Sequence, residues 1–392
     1  MRDWWARHSE IAFRWILGLM GAIAVIWVAY EFWRLLFQMG LMGAVDLWNR
    51  WVETHRWFAG EFIYDSIITA VYPPATYAML FPFVGWLEFT AARWLWAATT
   101  VAIMAWFAAL LVRESGARTL YERVFVVLML LATYPAGATT GNGQLSVHIL
   151  PPLLTALLWL SRKRAAWDLD LAVAALLLAP LVKPSTAVPF FWIALFVSRR
   201  IRPVLLTSLG YLSLTLLAVS FQSAGFRAVI KGWLARSSHL ASYTGPVYYA
   251  NVHAWLSGLG LNEWILPASF LILIFLAYWI WRHRNAGVWP LIGVTAIVSR
   301  VWTYHRSYDD VLMMLPMVAL FRIAKRGISA DGADVTAALL LAVNVAMMVA
   351  PDALFVLPWP LNVVYTTIET AVWLLVLLFL ADQARSDAQK SV

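Results

Sequence analysis

The sequence predicts an all-α integral membrane protein, and three observations predict it. Of the 392 residues, 62% are hydrophobic and only 13% are charged, whereas soluble domains sit near half apolar and a quarter charged. Long apolar stretches recur along the whole chain, and their continuous rather than alternating pattern excludes a transmembrane barrel. The basic residues fall in short clusters between those stretches, as expected of cytoplasmic loops. That clustering also turns the formal charge of +8 into an orientation signal rather than a nucleic-acid footprint. The 24 tryptophans suit the aromatic belts of a bilayer interface. The chain has no cysteine, which excludes disulfides and thiolate metal sites.

Hydrophobic patterning places spans at about 11–37, 90–112, 120–138, 144–161, 166–182, 185–198, 203–221, 263–282, 286–300, 309–324, 332–350 and 362–381, about twelve in all. The basic stretch Arg2 to His8 precedes the first span, and no small-residue cleavage site follows it. This predicts an uncleaved first helix rather than a signal peptide. The N-terminus, the loops at Arg113–Arg123, Arg162–Arg164, Arg199–Arg202, Arg282–Arg284 and Arg322–Arg326, and the C-terminal tail then share one face. That face is cytoplasmic by the positive-inside rule. Twelve spans alternate without conflict if 73–87 does not cross. That segment opens on two prolines and stops at Glu88. Its roughly 14 residues are short for a core of roughly 30 Å, so it reads as re-entrant or interfacial. Reading it as a true span reverses the later loops and puts several basic clusters outside. No repeat of fixed period appears, which weighs against an inverted-repeat transporter. The result is a single transmembrane domain over 1–392 with two long extracytoplasmic segments, 38–89 and 222–262.

Five outer features could carry chemistry. Asp46 lies in the first outer segment among apolar and aromatic residues, in Gly43-Ala44-Val45-Asp46-Leu47-Trp48. Partial burial would raise its pKa and suit it to base catalysis, although an N-cap or interfacial acid has the same local pattern. Glu53, His55 and Glu61 read as solvated surface groups. Gly141-Asn142-Gly143-Gln144 permits a tight turn, with Asn142 and Gln144 offering amides to sugar hydroxyls. A simple turn is the alternative. Lys183, before Pro184, either snorkels at the membrane edge or ligates an anion such as phosphate. The stretch Ser299–Asp310 places Arg300, His305 and Arg306 on the basic-poor face. Either a phosphate-bearing substrate or an ion-pair cluster with Asp309 and Asp310 would explain them. The 222–262 segment mixes Tyr243, Tyr248, Tyr249, Asn251 and two histidines. That suits carbohydrate stacking, and equally an amphipathic interfacial loop. His239 and His253 are too irregularly spaced for a zinc site.

The order of these motifs resembles glycosyltransferase family 87, the polyprenyl-phosphate-mannose-dependent mannosyltransferases of the GT-C membrane fold. The matching residues are Asp46-Leu47 after the first span and Tyr72-Pro73-Pro74 ahead of Leu80-Phe81-Pro82. Gly143-Gln144, Val182-Lys183-Pro184, Asn251, and Trp302 with His305 continue the series. The resemblance spans roughly 40–320 and implies a GT-C-type polytopic helical bundle with extracytoplasmic loop helices. It places such a protein in a bacterial inner (plasma) membrane, with its site on the extracytoplasmic face. It implies transfer of a sugar, mannose in the type family, from a polyprenyl phosphate to a hydroxyl on a lipid or glycan.

By the same resemblance Asp46 is the catalytic base. Lys183 and His305 sit where the family places polar groups near the donor phosphate, Arg300 and Arg306 would join them as further cations of the same face, and Tyr72, Asn142, Gln144 and Asn251 would meet the substrates. No cofactor, metal or nucleic acid is expected. The sequence departs from the family pattern at Arg300, Arg306 and the paired Asp309-Asp310. With one well-placed acid, direct displacement with inversion is expected, since double displacement needs a second close carboxylate. A polyprenyl-phosphate-linked lipid transporter or flippase is the alternative, needing the same basic pocket but no base.

Overall fold

Apolar helices that meet lipid need little burial by protein, whereas helices apolar on every side belong at the centre of a bundle. Both kinds are present. The structure, a computed structural model, describes residues 2–162, 166–242, 250–326, 332–349 and 357–390, and among these every regular element is helical. Lys163, Arg164, Tyr243, Tyr248, Tyr249 and Asp352 lie outside the described residues.

Five helices are long and apolar enough to cross a bilayer: Ile11–Phe37, Phe89–Ser115, Ile201–Val219, Asn262–Arg282 and Leu361–Gln389. A sixth crossing forms if Leu120–Leu131 and Tyr134–Asn142, bent by 48°, act as one span. The expected spans at 144–161, 286–300 and 332–350 are shorter apolar helices. Those at 166–182, 185–198 and 309–324 are broken by 3-10 turns. The sequence expectation of twelve therefore compares with five or six helices of spanning length among the described residues.

The long helices form the shell. Trp15, Leu19, Val25 and Ile26 are all more than 60% exposed on the first one, a surface suited to hydrocarbon rather than water. The short ones form the centre. Ser146–Arg162, Val288–Val301 and Met314–Ala324 are buried on nearly every side. Val288–Val301 packs against both Met314–Ala324 and the last helix, Leu361–Lys390.

The first helix ends at the site, and its end is capped from a neighbour. Arg93 donates to the carbonyls of Arg34 at 3.0 Å and Gln38 at 2.7 Å, and also to that of Leu35. A cation on the last carbonyls satisfies groups that a helix cannot pair internally. The chain then turns at Gly43, where a Cβ would come within 2.4 Å of the Gln38 carbonyl, and enters the helix Val45–Phe58. That helix starts against the C-terminus of Tyr134–Asn142, with the Ala44 N–H donating to Gly141 O at 2.9 Å. Gly143 ends Tyr134–Asn142 in the left-handed region at φ 66° and lies under Leu47.

The rest of 38–89 is structured. Pro74–Val84 packs on Ile201–Val219 and on Val45–Phe58. Eleven residues rise only about 16 Å, roughly half a bilayer core. Trp57 stacks on Tyr77 at 4.9 Å and donates to Ala218 O at 2.8 Å. The second long segment closes over the first. Its helix Phe226–Ser242 sends Trp233 to Val71 O at 3.0 Å and Arg236 to Tyr64 O at 2.6 Å.

Candidate functional site

Helical spacing puts Asp46, Arg50, Glu53 and Trp57 on one face of Val45–Phe58. That face turns inward: Arg50, Glu53 and Trp57 are buried, and Asp46 is half-buried. Glu53 is fully buried, which corrects its reading as a solvated group. Its carboxylate takes Arg50 Nη2 at 2.6 Å and the Thr69 hydroxyl at 2.8 Å. His55 is half-buried and Glu61 exposed, nearer the sequence expectation.

Asp46 occupies the first turn of the helix, where the macrodipole favours a carboxylate. Its side chain makes no hydrogen bond or ion pair to any described residue. Burial pushes its pKa above the ordinary aspartate range. Arg50, then Arg306 and Lys183, pull it down, and Asp309 pushes it up. Three cations from three separate parts of the chain therefore act on this one acid.

Lys183 follows the 3-10 turn Ala179–Val182, which is tied to Pro74–Val84 by Thr76 Oγ1 donating to Val182 O at 2.9 Å. Lys183 does not snorkel, being only 6% exposed. It is buried in an ion pair with Asp309, bonds Ser146 Oγ at 3.1 Å, and lies 5.0 Å from the centre of the Tyr308 ring. Ser146 also donates to the same Asp309 oxygen. The other oxygen, Oδ2, lies 2.9 Å from His305 Nδ1.

Burial, with Lys183 and Arg300 nearby, lowers the His305 pKa despite Asp309. Facing a carboxylate, Nδ1 donates to Asp309 Oδ2. Nε2 is left buried with no hydrogen-bond partner.

Arg300 lies deeper. It pairs with Asp310, donates through Nη1 to Ala250 O at 3.2 Å, and stands 5.3 Å from the Trp373 ring centre. Asp310 also accepts from Tyr134 at 2.5 Å. Arg300–Asp310 and His305–Asp309 are pairs of the kind that one of the two sequence readings expected, with Lys183 added to them. Arg306 is exposed at the rim, and its backbone N–H donates to Asp309 Oδ2 at 3.4 Å. Ser299 and Trp302 anchor this segment to the Lys183 turn through Thr186 O and Ser185 O, each at 2.8 Å.

The remaining candidates are engaged within the protein. Asn142 Oδ1 accepts from Arg34 Nη2 at 2.9 Å, at the last residue of a helix rather than in an open turn. Gln144 Oε1 accepts from the Leu145 N–H at 2.8 Å. Asn251 is buried and caps Val252–Gly258 through the Ala254 N–H at 2.9 Å. Tyr72 keeps a half-buried ring, 4.3 Å from the Arg50 guanidinium carbon.

Sequence reasoning missed Arg50 and Ser146. The first had a signal: four polar or aromatic positions at 46, 50, 53 and 57 are one helical stripe. Ser146 had none, because its partners lie far along the chain.

No curated protein and no solved structure matches the chain. A family model does, over residues 70–302, and its description is glycosyltransferase family 87. The matched segment contains Tyr72, Asn142, Gln144, Lys183, Asn251 and Arg300, while Asp46, His305 and Arg306 flank it. Since the match covers more than half of the sequence, this chain is a member of glycosyltransferase family 87.

Proposed function

We propose that this glycosyltransferase inverts the anomeric centre of a sugar, mannose, carried on a polyprenyl phosphate. It moves that sugar to a hydroxyl of a lipid or glycan acceptor at the extracytoplasmic face of a bacterial inner membrane. The observation that carries this reading is Asp46: an acid with no protein partner among the described residues, under the influence of Arg50, Arg306 and Lys183. Asp46 accepts the proton of the attacking hydroxyl as its oxygen bonds to the anomeric carbon. The bond from that carbon to the phosphate oxygen breaks, and its electron pair leaves with the polyprenyl phosphate.

Lys183 and Arg306 supply fixed positive potential where that charge grows. His305 takes up a proton from solvent as the donor anion enters, so that Nε2 donates to a phosphate oxygen while Nδ1 stays on Asp309. Arg300, buried against Asp310, holds the 300–310 segment in place. Tyr72 lines the sugar. Asn142, Gln144 and Asn251 shape the walls through the bonds they make within the protein.

The test is Asp46→Asn in full-length purified protein, assayed with synthetic polyprenyl-phosphate-mannose and followed by mass spectrometry of the products. Loss of transfer by at least 100-fold, with donor binding and melting temperature retained, is expected for loss of a general base. Near-normal turnover by a folded variant sinks the assignment. Movement of the lipid across vesicles with no new glycosidic bond would establish the flippase reading instead.

A further inference from the structure

We propose that Arg50 is a ligand of the transferred sugar, donating from Nη1 to a ring hydroxyl while Nη2 stays on Glu53. This rests on the glycosyl-transfer reading above and names a residue of the same site. Arginine offers a planar fork of donors, and here the fork is half used. Nη2 is occupied by Glu53 Oε1 at 2.6 Å and Thr69 O at 3.0 Å. Nη1 is buried and has no hydrogen-bond partner, although the residue is only 6% exposed. Leaving a buried charged-group donor unpaired is expensive, so such donors normally have a partner in the working state.

Position and charge say which partner. Arg50 is one helical turn beyond Asp46, about 6 Å along the axis, which is the span of a hexose ring. A sugar whose anomeric carbon is attacked beside Asp46 therefore brings its ring hydroxyls level with Arg50. Nη2 is already held by Glu53 and the Thr69 carbonyl, so Arg50 offers one free arm, which meets a single hydroxyl better than the paired oxygens of a phosphate. Above it lies the half-buried Tyr72 ring. The Tyr72 backbone is anchored through its carbonyl to the Tyr64 hydroxyl at 2.8 Å.

The test uses Arg50→Lys in the full-length protein in lipid nanodiscs. Lysine keeps the charge on Glu53 but loses the second arm of the fork. Two probes are titrated, synthetic polyprenyl-phosphate-mannose and the same polyprenyl phosphate without sugar. The expected result is an affinity loss of about tenfold for the sugar-bearing lipid, the order of one hydrogen bond in a buried site. The bare lipid should bind as before, and melting should be unchanged.

Equal losses for both lipids would make Arg50 a phosphate ligand and overturn the inference, as would normal binding of both. The neutral pair Arg50→Met/Glu53→Gln, which removes both charges together, should repeat the selective loss if Arg50→Lys does not fold. Failure of both variants to fold would leave Arg50 a structural partner only, and the inference would fall. If the wild-type protein transfers sugar while Arg50→Lys binds donor normally, only this inference fails. Wild-type protein that transfers no sugar from any polyprenyl-phosphate donor removes the underlying reading, and this inference with it.

Discussion

Lys183 and Asp309 meet in a buried ion pair although 126 residues separate them in sequence. Ser146 bonds both partners, and His305 takes the second carboxylate oxygen. Removing one member of a buried pair strands the other, so Lys183→Met is expected to destabilise the protein by about 3–5 kcal/mol. Lys183→Met/Asp309→Asn should recover much of that loss, because no lone charge remains, yet transfer should stay low. Thermal unfolding in detergent, run beside a transfer assay, separates the two effects. Full recovery of transfer in the double variant would show that the pair serves stability alone.

With Asp46 as the proposed base, the acid limb of the pH–rate profile is expected to report on it. Burial raises its pKa, so the deprotonated base is lost on acidification sooner than an ordinary aspartate would lose it. Turnover is expected to fall as pH drops through that raised value. Arg306 pulls the value down, so Arg306→Gln should move the acid limb to higher pH as well as weaken donor binding. A profile in which Arg306→Gln leaves the limb in place would mean that another group sets it.

The broad architecture was legible because burial in lipid leaves a simple mark, a long apolar run bounded by charge. The number of crossings was less legible, since the runs at 144–161 and 286–300 are equally apolar but shorter. They fold as short helices enclosed by protein. Asp46 was visible as an acid in the first long segment between apolar runs. Its neighbours were not, because Lys183, Arg306 and Asp309 reach it only through tertiary folding. Glu53 misled for the same reason. A glutamate between spans looks solvated until Thr69, Arg50 and Tyr77 close around it. Asn142 and Asn251 read as ligands, and in the fold the Asn142 amide accepts from Arg34 while the Asn251 amide caps Val252–Gly258.

Glu53 makes stability depend on pH in a defined direction. Burial raises its pKa to about 7, outweighing Arg50 and the hydroxyls of Thr69 and Tyr77. A folded-state value above the unfolded one means that the native protein holds the proton more tightly. Its contribution to stability is therefore full below about pH 4.5 and is lost as pH rises to about 7. Glu53→Gln cannot lose that proton. The melting temperature of the wild type should fall relative to Glu53→Gln across this interval and run parallel above it. A constant difference between the two curves would show that Glu53 is ionised in the fold throughout.

Gly143 offers a test of how the acid is positioned. Its φ of 66° is a conformation that favours glycine, and an added Cβ would come within 2.6 Å of Leu47 Cβ. Leu47 is fully buried and adjacent to Asp46. Gly143→Ala therefore strains the helix end and pushes on the first turn of Val45–Phe58. The strain should cost about 1–2 kcal/mol of stability. The displacement should cost more in rate than in stability, since a shift of 1 Å in a reacting group can slow turnover about 100-fold. The diagnostic is a kcat loss exceeding the stability loss, with donor affinity near wild type because the Lys183 side of the site is untouched. A variant that melts early but turns over normally when folded would show that Asp46 tolerates displacement, and that its position is not what limits the reaction.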